Sequence, residues 1–193
     1  SVDMYDENGD IVIKTFGIPE TMGFQVLFYR SDIMEELGIN VPNTWDDVYD
    51  ILPILNKRYM DYAPPEYNTL LYQAGGQLYK YNGQATDIDS PVGIETFIQH
   101  TEFYTNYGLP IKFDLENRFR LGEMPIGDID LYGFYNKMSV FAPEIKGLWT
   151  FTTLPGTIRE DGSIDKSNMA SFSGTVLLQT ADNKMNGWKF MDW

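Results

Sequence analysis

A chain of 193 residues with 43% hydrophobic content is long enough to bury one core of ordinary size, so a single domain is the starting expectation. Its 14 lysines and arginines face 28 aspartates and glutamates, and a net charge of −14 repels nucleic-acid phosphates and anionic lipid headgroups alike. The absence of cysteine excludes disulfides, thiolate metal sites and a cysteine nucleophile, and no apolar run approaches the ~20 residues of a membrane span. No signal-peptide pattern opens the chain at Ser1, so a targeting segment is expected to lie outside it.

The opening stretch, Tyr5 to Thr15, places Asn8-Gly9 between two short apolar runs, which predicts a β-hairpin. Phe24 to Tyr29 is apolar without strict alternation, the pattern of a strand covered on both faces. Ser31 is placed to cap a short helix that Gly38 stops, and Thr44 with Asp47 to cap a second. The second helix buries Trp45, Val48, Leu52 and Leu55, and Pro53 is expected to kink or locally break it.

Tyr67 to Ala74 reads as a helix ended by Gly75-Gly76, and Asn82-Gly83 as a second tight hairpin. Ser90-Pro91 starts a longer helix, in which Ile94, Phe97, Ile98, Thr101 and Tyr104 keep helical spacing up to Gly108. A short helix from Asp114 to Leu121 follows, then a strand from Met124 to Ile129, a helix from Leu131 to Ala142 and a strand from Leu148 to Thr153. Gly156 to Asn168 is polar, contains Asp161-Gly162 and reads as a surface hairpin or loop. Thr175 to Gln179 is predicted as a strand, and a helix starts at Asn183 whose aromatic pattern breaks off at Trp193 without a stop residue. The alternation predicts an α/β domain on a mixed sheet flanked by helices.

His100 is the only histidine, so a histidine triad or two-histidine metal site lacks material, and a structural or solvated role is expected for it. No nucleotide-binding glycine fingerprint is present, and Glu160, Asp161 and Asp165 do not keep calcium-loop spacing and read as turn residues. No cofactor is expected. Asp128 and Asp130, two apart on a strand, are the pair a glycoside hydrolase would use, although helix capping also accounts for Asp130. Asp130 with Tyr132, where a strand gives way to a helix, combines an acceptor for hydroxyls with a ring for the apolar face of a sugar.

Several motifs in one order carry a resemblance. Gly17 to Ile33 (GIPETMGFQVLFYRSDI) with Pro42 to Asp47 (PNTWDD) is followed by Gln73 to Gly76 (QAGG), the Asn82-Gly83 hairpin and Ser90-Pro91. Then come Phe119 to Met124 (FRLGEM), Leu154-Pro155-Gly156, Ser173 to Leu178 (SGTVLL) and Trp188-Lys189-Phe190. In this the chain resembles the extracellular solute-binding proteins of ABC importers, in the group that includes maltose-binding protein. Gly93 departs from the family's usual small helix former, and Asp128 to Tyr132 (DIDLY) stands where relatives often have a glycine-proline-tryptophan run.

The resemblance implies a periplasmic-binding-protein-like (type II) α/β lobe. Residues 24–173 would form the second lobe, and 1–23 with 174–193 the hinge and remnants of the first. It implies a small solute, a sugar or oligosaccharide, gripped between two lobes without catalysis. Permease subunits would be partners of the full-length protein, at the cell surface through a lipid anchor outside this chain. Exposed first-lobe remnants would favour a dimer. Carried over position by position, the ligand-binding residues would be Glu20, Thr21, Tyr67, Gln73, Asp130, Tyr132 and Ser173. A carbohydrate-active enzyme using Asp128 and Asp130 and a cell-surface interaction domain are the alternatives.

Overall fold

The computed structural model describes residues 2–5, 11–14, 17–178 and 180–192. In chain order the elements are β1 (Val2–Tyr5), β2 (Ile11–Lys14), β3 (Ile18–Arg30), α1 (Ser31–Leu37), α2 (Trp45–Asn56), β4 (Tyr62–Ala63), α3 (Tyr67–Gln73), β5 (Tyr79–Lys80), β6 (Ala85–Thr86) and α4 (Pro91–Thr105). They continue with α5 (Leu115–Leu121), β7 (Ile126–Asp130), α6 (Leu131–Phe141), a 3₁₀ turn (Pro143–Ile145), β8 (Trp149–Thr152), β9 (Thr157–Ile158), β10 (Ile164–Asp165), β11 (Ala170–Thr175) and α7 (Lys184–Met191). Two compact units divide the chain: Phe24–Met169, and Ser1–Gly23 with Ala170–Trp193.

The unit Phe24–Met169 is built on β3, whose apolar run was predicted to be covered on both faces. Val26, Leu27 and Phe28 are all buried. β7 and β8 each pair antiparallel with β3, and β4 pairs parallel with β7, which makes the sheet mixed. Successive strand residues point to opposite faces, so the run feeds two cores at once. Leu27 joins Trp45, Val48, Leu55, Tyr62, Phe103 and Ile126 on one side. Val26 and Phe28 join Phe119, Met124, Ile129, Phe134 and Met138 on the other. Each fully buried large side chain contributes about 1.5–3 kcal/mol, which makes these two layers the main source of stability.

Close strand approach depends on one small residue. Gly127 sits opposite Ala63 in the β4–β7 register, and a Cβ added there would collide with Ala63. Arg30, buried at the end of β3, is fully engaged: Nε and Nη2 donate to the Asp32 carboxylate at 2.9 and 2.6 Å, and Nη1 to the carbonyls of Phe119 and Arg120 at 3.3 and 3.0 Å. The guanidinium ties α5 to the central strand and holds the Asp32 carboxyl below its usual range.

Local signals and structure agree at most helix ends. Thr44 Oγ1 accepts from the Asp47 amide while the Asp47 carboxylate accepts from the Thr44 amide, a complete capping box. Ser90 and Asp114 cap α4 and α5, and Gly38 and Gly122 close α1 and α5 in the left-handed conformation. Pro53 does not break α2, which runs on to Asn56. The proline lies in the last turn, so it removes one donated backbone bond and only a single turn of helix lies beyond it. Ser31 does not cap α1; its hydroxyl donates to the Leu148 carbonyl at 3.1 Å instead.

Two other expectations are corrected and a third holds. The Asn82-Gly83 hairpin forms between β5 and β6, but Lys80 pairs with Ala85, so the loop has four residues rather than two. Helix α4 forms where its spacing predicted, yet Ile94, Phe97 and Ile98 are exposed and Gly93, Thr96 and Phe103 are buried. At the start of α4 the turn leading into the helix packs against it: a Cβ on Gly93 would collide with the Ile88 carbonyl. The Asp161-Gly162 segment is the predicted hairpin, with β9 and β10 antiparallel.

In the unit formed by 1–23 and 170–193, β1 and β2 pair antiparallel with Tyr5 opposite Ile11, while the Asn8-Gly9 turn lies outside the described residues. β11 is hydrogen-bonded to β3. The strand expected at Thr175 to Gln179 is displaced: β11 ends at Thr175, residues 176–178 are not strand, and Gln179 is outside the described residues. Every residue of β11 is exposed and α7 buries none.

Candidate functional site

Strand β7 is buried from Ile126 to Ile129 and surfaces at Asp130, its carboxyl end. There the chain turns into α6, and Asp130 Oδ2 accepts from the Gly133 amide at 2.8 Å, capping the helix. The other carboxylate oxygen accepts no hydrogen bond from the described residues, so it is available to a ligand hydroxyl. Tyr132, 56% exposed, stands edge-on to Phe24 with centroids 6.5 Å apart. On the neighbouring strand Gln25 lies opposite Asp130. Its Oε1 accepts from Thr69 Oγ1 at 3.3 Å, and its carbonyl accepts from the Asn168 amide.

One end of the sheet therefore gathers a carboxylate, two amides, a hydroxyl and two rings. Such a set can accept and donate hydrogen bonds to a polyhydroxylated molecule while a ring covers an apolar face. Asp130 and Tyr132 were expected here from the sequence, whereas Phe24, Gln25, Thr69 and Asn168 were not. The one available signal was Gln25, a polar residue inside an otherwise apolar strand.

Asp128, two residues before Asp130, has a different fate. It is buried, its Oδ1 accepts from the Tyr62 hydroxyl at 3.0 Å, and its Oδ2 has no partner. Desolvation pushes its carboxyl up to about 8 against the opposing effect of the Tyr62 hydrogen bond, so at neutral pH it is largely protonated. Burial and the neighbouring carboxyl raise the Tyr62 phenol as well. The two carboxyls of the pair thus differ: Asp128 is buried beneath Tyr62 and Asp130 is exposed.

The remaining sequence-derived positions separate into groups. Gln73 is fully buried: its Oε1 accepts from Trp45 Nε1 at 2.6 Å and Thr157 Oγ1 at 3.4 Å, and its Nε2 donates to the carbonyls of Pro155 and Ser167, both at 3.1 Å. Its amide is thus engaged on both sides by neighbours within the unit. Tyr67 begins α3, donates to the Gly93 carbonyl at 3.1 Å and packs on Phe97 and His100, with burial raising its phenol. His100 lies half-buried between Tyr67 and Tyr104, and desolvation lowers its imidazole.

Glu20, Thr21 and Ser173 belong to the unit formed by 1–23 and 170–193 and are exposed there. The hydroxyls of Thr21 and Ser173 are hydrogen-bonded to each other, and Glu20 accepts from Thr175 Oγ1 at 3.0 Å. Asp161 and Asp165 serve their hairpin: Asp161 accepts from Ser163, and Asp165 pairs with Arg159 at 2.6 Å and accepts from Ser167, which holds its carboxyl down at about 2. Among the described residues no cluster of three or more His, Cys, Asp or Glu could hold a metal ion.

An exposed acceptor and an exposed ring thus stand together at the carboxyl end of a strand of the mixed sheet. The chain belongs to the bacterial extracellular solute-binding protein family, whose pattern it matches over residues 2–193. No curated relative matches the sequence significantly. Among solved structures it is similar to an ABC transporter solute-binding protein from Thermotoga lettingae TMO bound with α-D-tagatose, at 22% identity, TM-score 0.75, covering 92% of this chain and 49% of that one. An ABC substrate-binding protein from Listeria monocytogenes in complex with cycloalternan gives 19% identity and TM-score 0.76, covering 97% and 48%. A maltose-bound protein from T. maritima gives 19% and 0.71, covering 91% and 49%. The fold is thus the periplasmic-binding-protein-like (type II) α/β fold, and the chain spans about half the length of these structures.

Proposed function

We propose that the chain is part of the solute-binding component of an ABC import system and that its solute is a carbohydrate or polyol. In this reading residues 24–173 form the second lobe, while 1–23 and 174–193 supply the hinge and part of the first. The ligand closes the lobes, binding energy setting the closed population, and nothing is made or broken. Permease subunits receive the loaded protein outside the cytoplasmic membrane, where a lipid anchor beyond this chain holds it. The observation that carries the reading is the pairing of the free Asp130 oxygen with the exposed Tyr132 ring beside Phe24 and Gln25. Family membership and the tagatose, cycloalternan and maltose bound by similar structures support it. Glu20, Thr21, Tyr67 and Ser173 are the further positions we propose for solute contact.

Thermal shift and calorimetric titration of the protein extending over both lobes, with maltose, tagatose, a cyclic oligosaccharide and ribitol, test this. At a hundred times its Kd the right solute adds about 2.7 kcal/mol of stability. Tyr132→Ala and Asp130→Ala each weaken it about tenfold, the equivalent of one lost contact of ~1.4 kcal/mol, with the far-UV spectrum unchanged. If no sugar or polyol raises the melting temperature, or both variants bind as tightly as the parent, the carbohydrate reading is wrong.

A further inference from the structure

Gln25 interrupts the apolar run from Phe24 to Tyr29 and is fastened at two points by other parts of its unit. Its backbone carbonyl accepts from the Asn168 side-chain amide, and its Oε1 accepts from Thr69 Oγ1 at 3.3 Å. Thr69 lies in α3 and is only 1% exposed, so packing inside the unit fixes its hydroxyl. With its oxygen engaged, Gln25 has one side-chain group left, the Nε2 amide, which donates to no partner among the described residues. Asp130 is the register partner of Gln25 across β3 and β7, and directly opposed side chains start about 4.5–5.5 Å apart at Cβ. One Asp130 oxygen caps α6 through the Gly133 amide, which leaves the other beside that amide donor.

We propose that Gln25 Nε2 and the free Asp130 oxygen together select the solute for a free hydroxyl group, with Thr69 as the positioning residue that aims Gln25. The inference rests on the solute reading above and adds the functional group that is recognised. A hydroxyl fits a donor set beside an acceptor, because its oxygen accepts from the amide while its proton goes to the carboxylate. An ether or a carboxylate has no proton for Asp130, and an ammonium has no lone pair for Gln25. A solute lacking the hydroxyl leaves both protein groups unpaired once water is excluded, and that penalty is the source of the selectivity. Without the Thr69 hydroxyl nothing distinguishes the two ends of the Gln25 amide, and the carbonyl end can turn toward Asp130, where it repels the acceptor and offers no donor.

The test is calorimetric titration of the protein extending over both lobes with maltose, tagatose, a cyclic oligosaccharide and ribitol, each beside its monodeoxy forms. For a solute that binds, the form lacking the recognised hydroxyl should bind at least about tenfold more weakly than the parent solute. Gln25→Glu turns the donor into a second acceptor and should weaken the parent solute at least about tenfold. Thr69→Val removes the hydroxyl at nearly constant shape; it should weaken the parent solute about fivefold and shrink the deoxy penalty to about twofold. Loss of selectivity is a readout that a purely structural role for Thr69 does not move, and Thr69→Ser should restore it. Equal binding of every deoxy form, a parent-like Kd with Gln25→Glu, or a Thr69→Val protein that melts earlier with its selectivity intact overturns this inference and leaves the solute reading standing. Binding of none of the four solutes overturns both.

Discussion

Unit Phe24–Met169 and the unit formed by 1–23 and 170–193 are written in the same alphabet of apolar residues and use it with opposite results. In the first, Leu27, Phe28, Val48, Leu55, Phe103 and Phe119 are almost completely buried. In the second, Phe172, Met185, Trp188 and Phe190 are each about half exposed or more. Helix α7 carries Met185, Trp188 and Phe190 yet buries none of them, whereas α2 buries Trp45, Val48, Ile51, Leu52 and Leu55. Apolar spacing states which face of an element favours cover; burial further requires that a partner element reach that face. Helix α4 shows the same within the first unit, where small residues take the contact and Ile94, Phe97 and Ile98 are left outside.

The contrast can be broken by stability measurements, and the largest effect is expected in the double-layered core. Phe119→Ala removes a ring stacked edge-on against Phe134 at 5.1 Å and should lower unfolding free energy by about 3–5 kcal/mol in urea titrations. Asp128→Asn works in the opposite direction. The folded pKa of Asp128, about 8, is above its ordinary 3.8, so its ionisation penalises folding progressively as pH rises between these values. The variant should gain roughly 2–4 kcal/mol at pH 7, and the gain should vanish near pH 4. A gain that persists at pH 4 would mean that the carboxyl is not the titrating group.

Thr44→Ala, which removes one half of the capping box, should lower the urea midpoint by an amount equivalent to about 1 kcal/mol. Trp188→Ala should change the main unfolding transition by less than about 0.5 kcal/mol, because exposed substitutions away from a core have little effect. A loss of several kcal/mol from Trp188→Ala would show that α7 is buried against something in solution, and the contrast between the units would collapse.

The parts of the fold legible in the sequence are those fixed by short-range chemistry. Thr44 with Asp47, Ser90-Pro91 and Gly38 announced helix ends because capping is settled within one turn of backbone. The unbroken apolar run at 24–29 announced a strand with two covered faces because no polar face remained to meet water. At the site, Asp130 and Tyr132 were legible because a strand end and a helix start bracket them. The contact of Gln73 with the Trp45 indole was not legible, since an amide near Gly75-Gly76 looks the same in sequence whatever it faces. The strand expected at Thr175 to Gln179 was misplaced because ASFSGT, polar and small, pairs better with β3 than its composition suggests. Phe24, Thr69 and Asn168 meet at Gln25 only through pairings that no local window contains.

The order of residues alone determined the α/β alternation, the helix boundaries and the absence of any cysteine or paired-histidine chemistry, because each follows from contacts within a few residues or from the inventory itself. Tertiary structure decided which of two neighbouring carboxyls is buried and which is exposed. Asp128 and Asp130 are two apart on one strand, but the first lies beneath Tyr62 and the second leaves the sheet to cap α6. A carboxyl's charge depends on the water within a few ångströms of it, and that is set by where the strand ends in three dimensions.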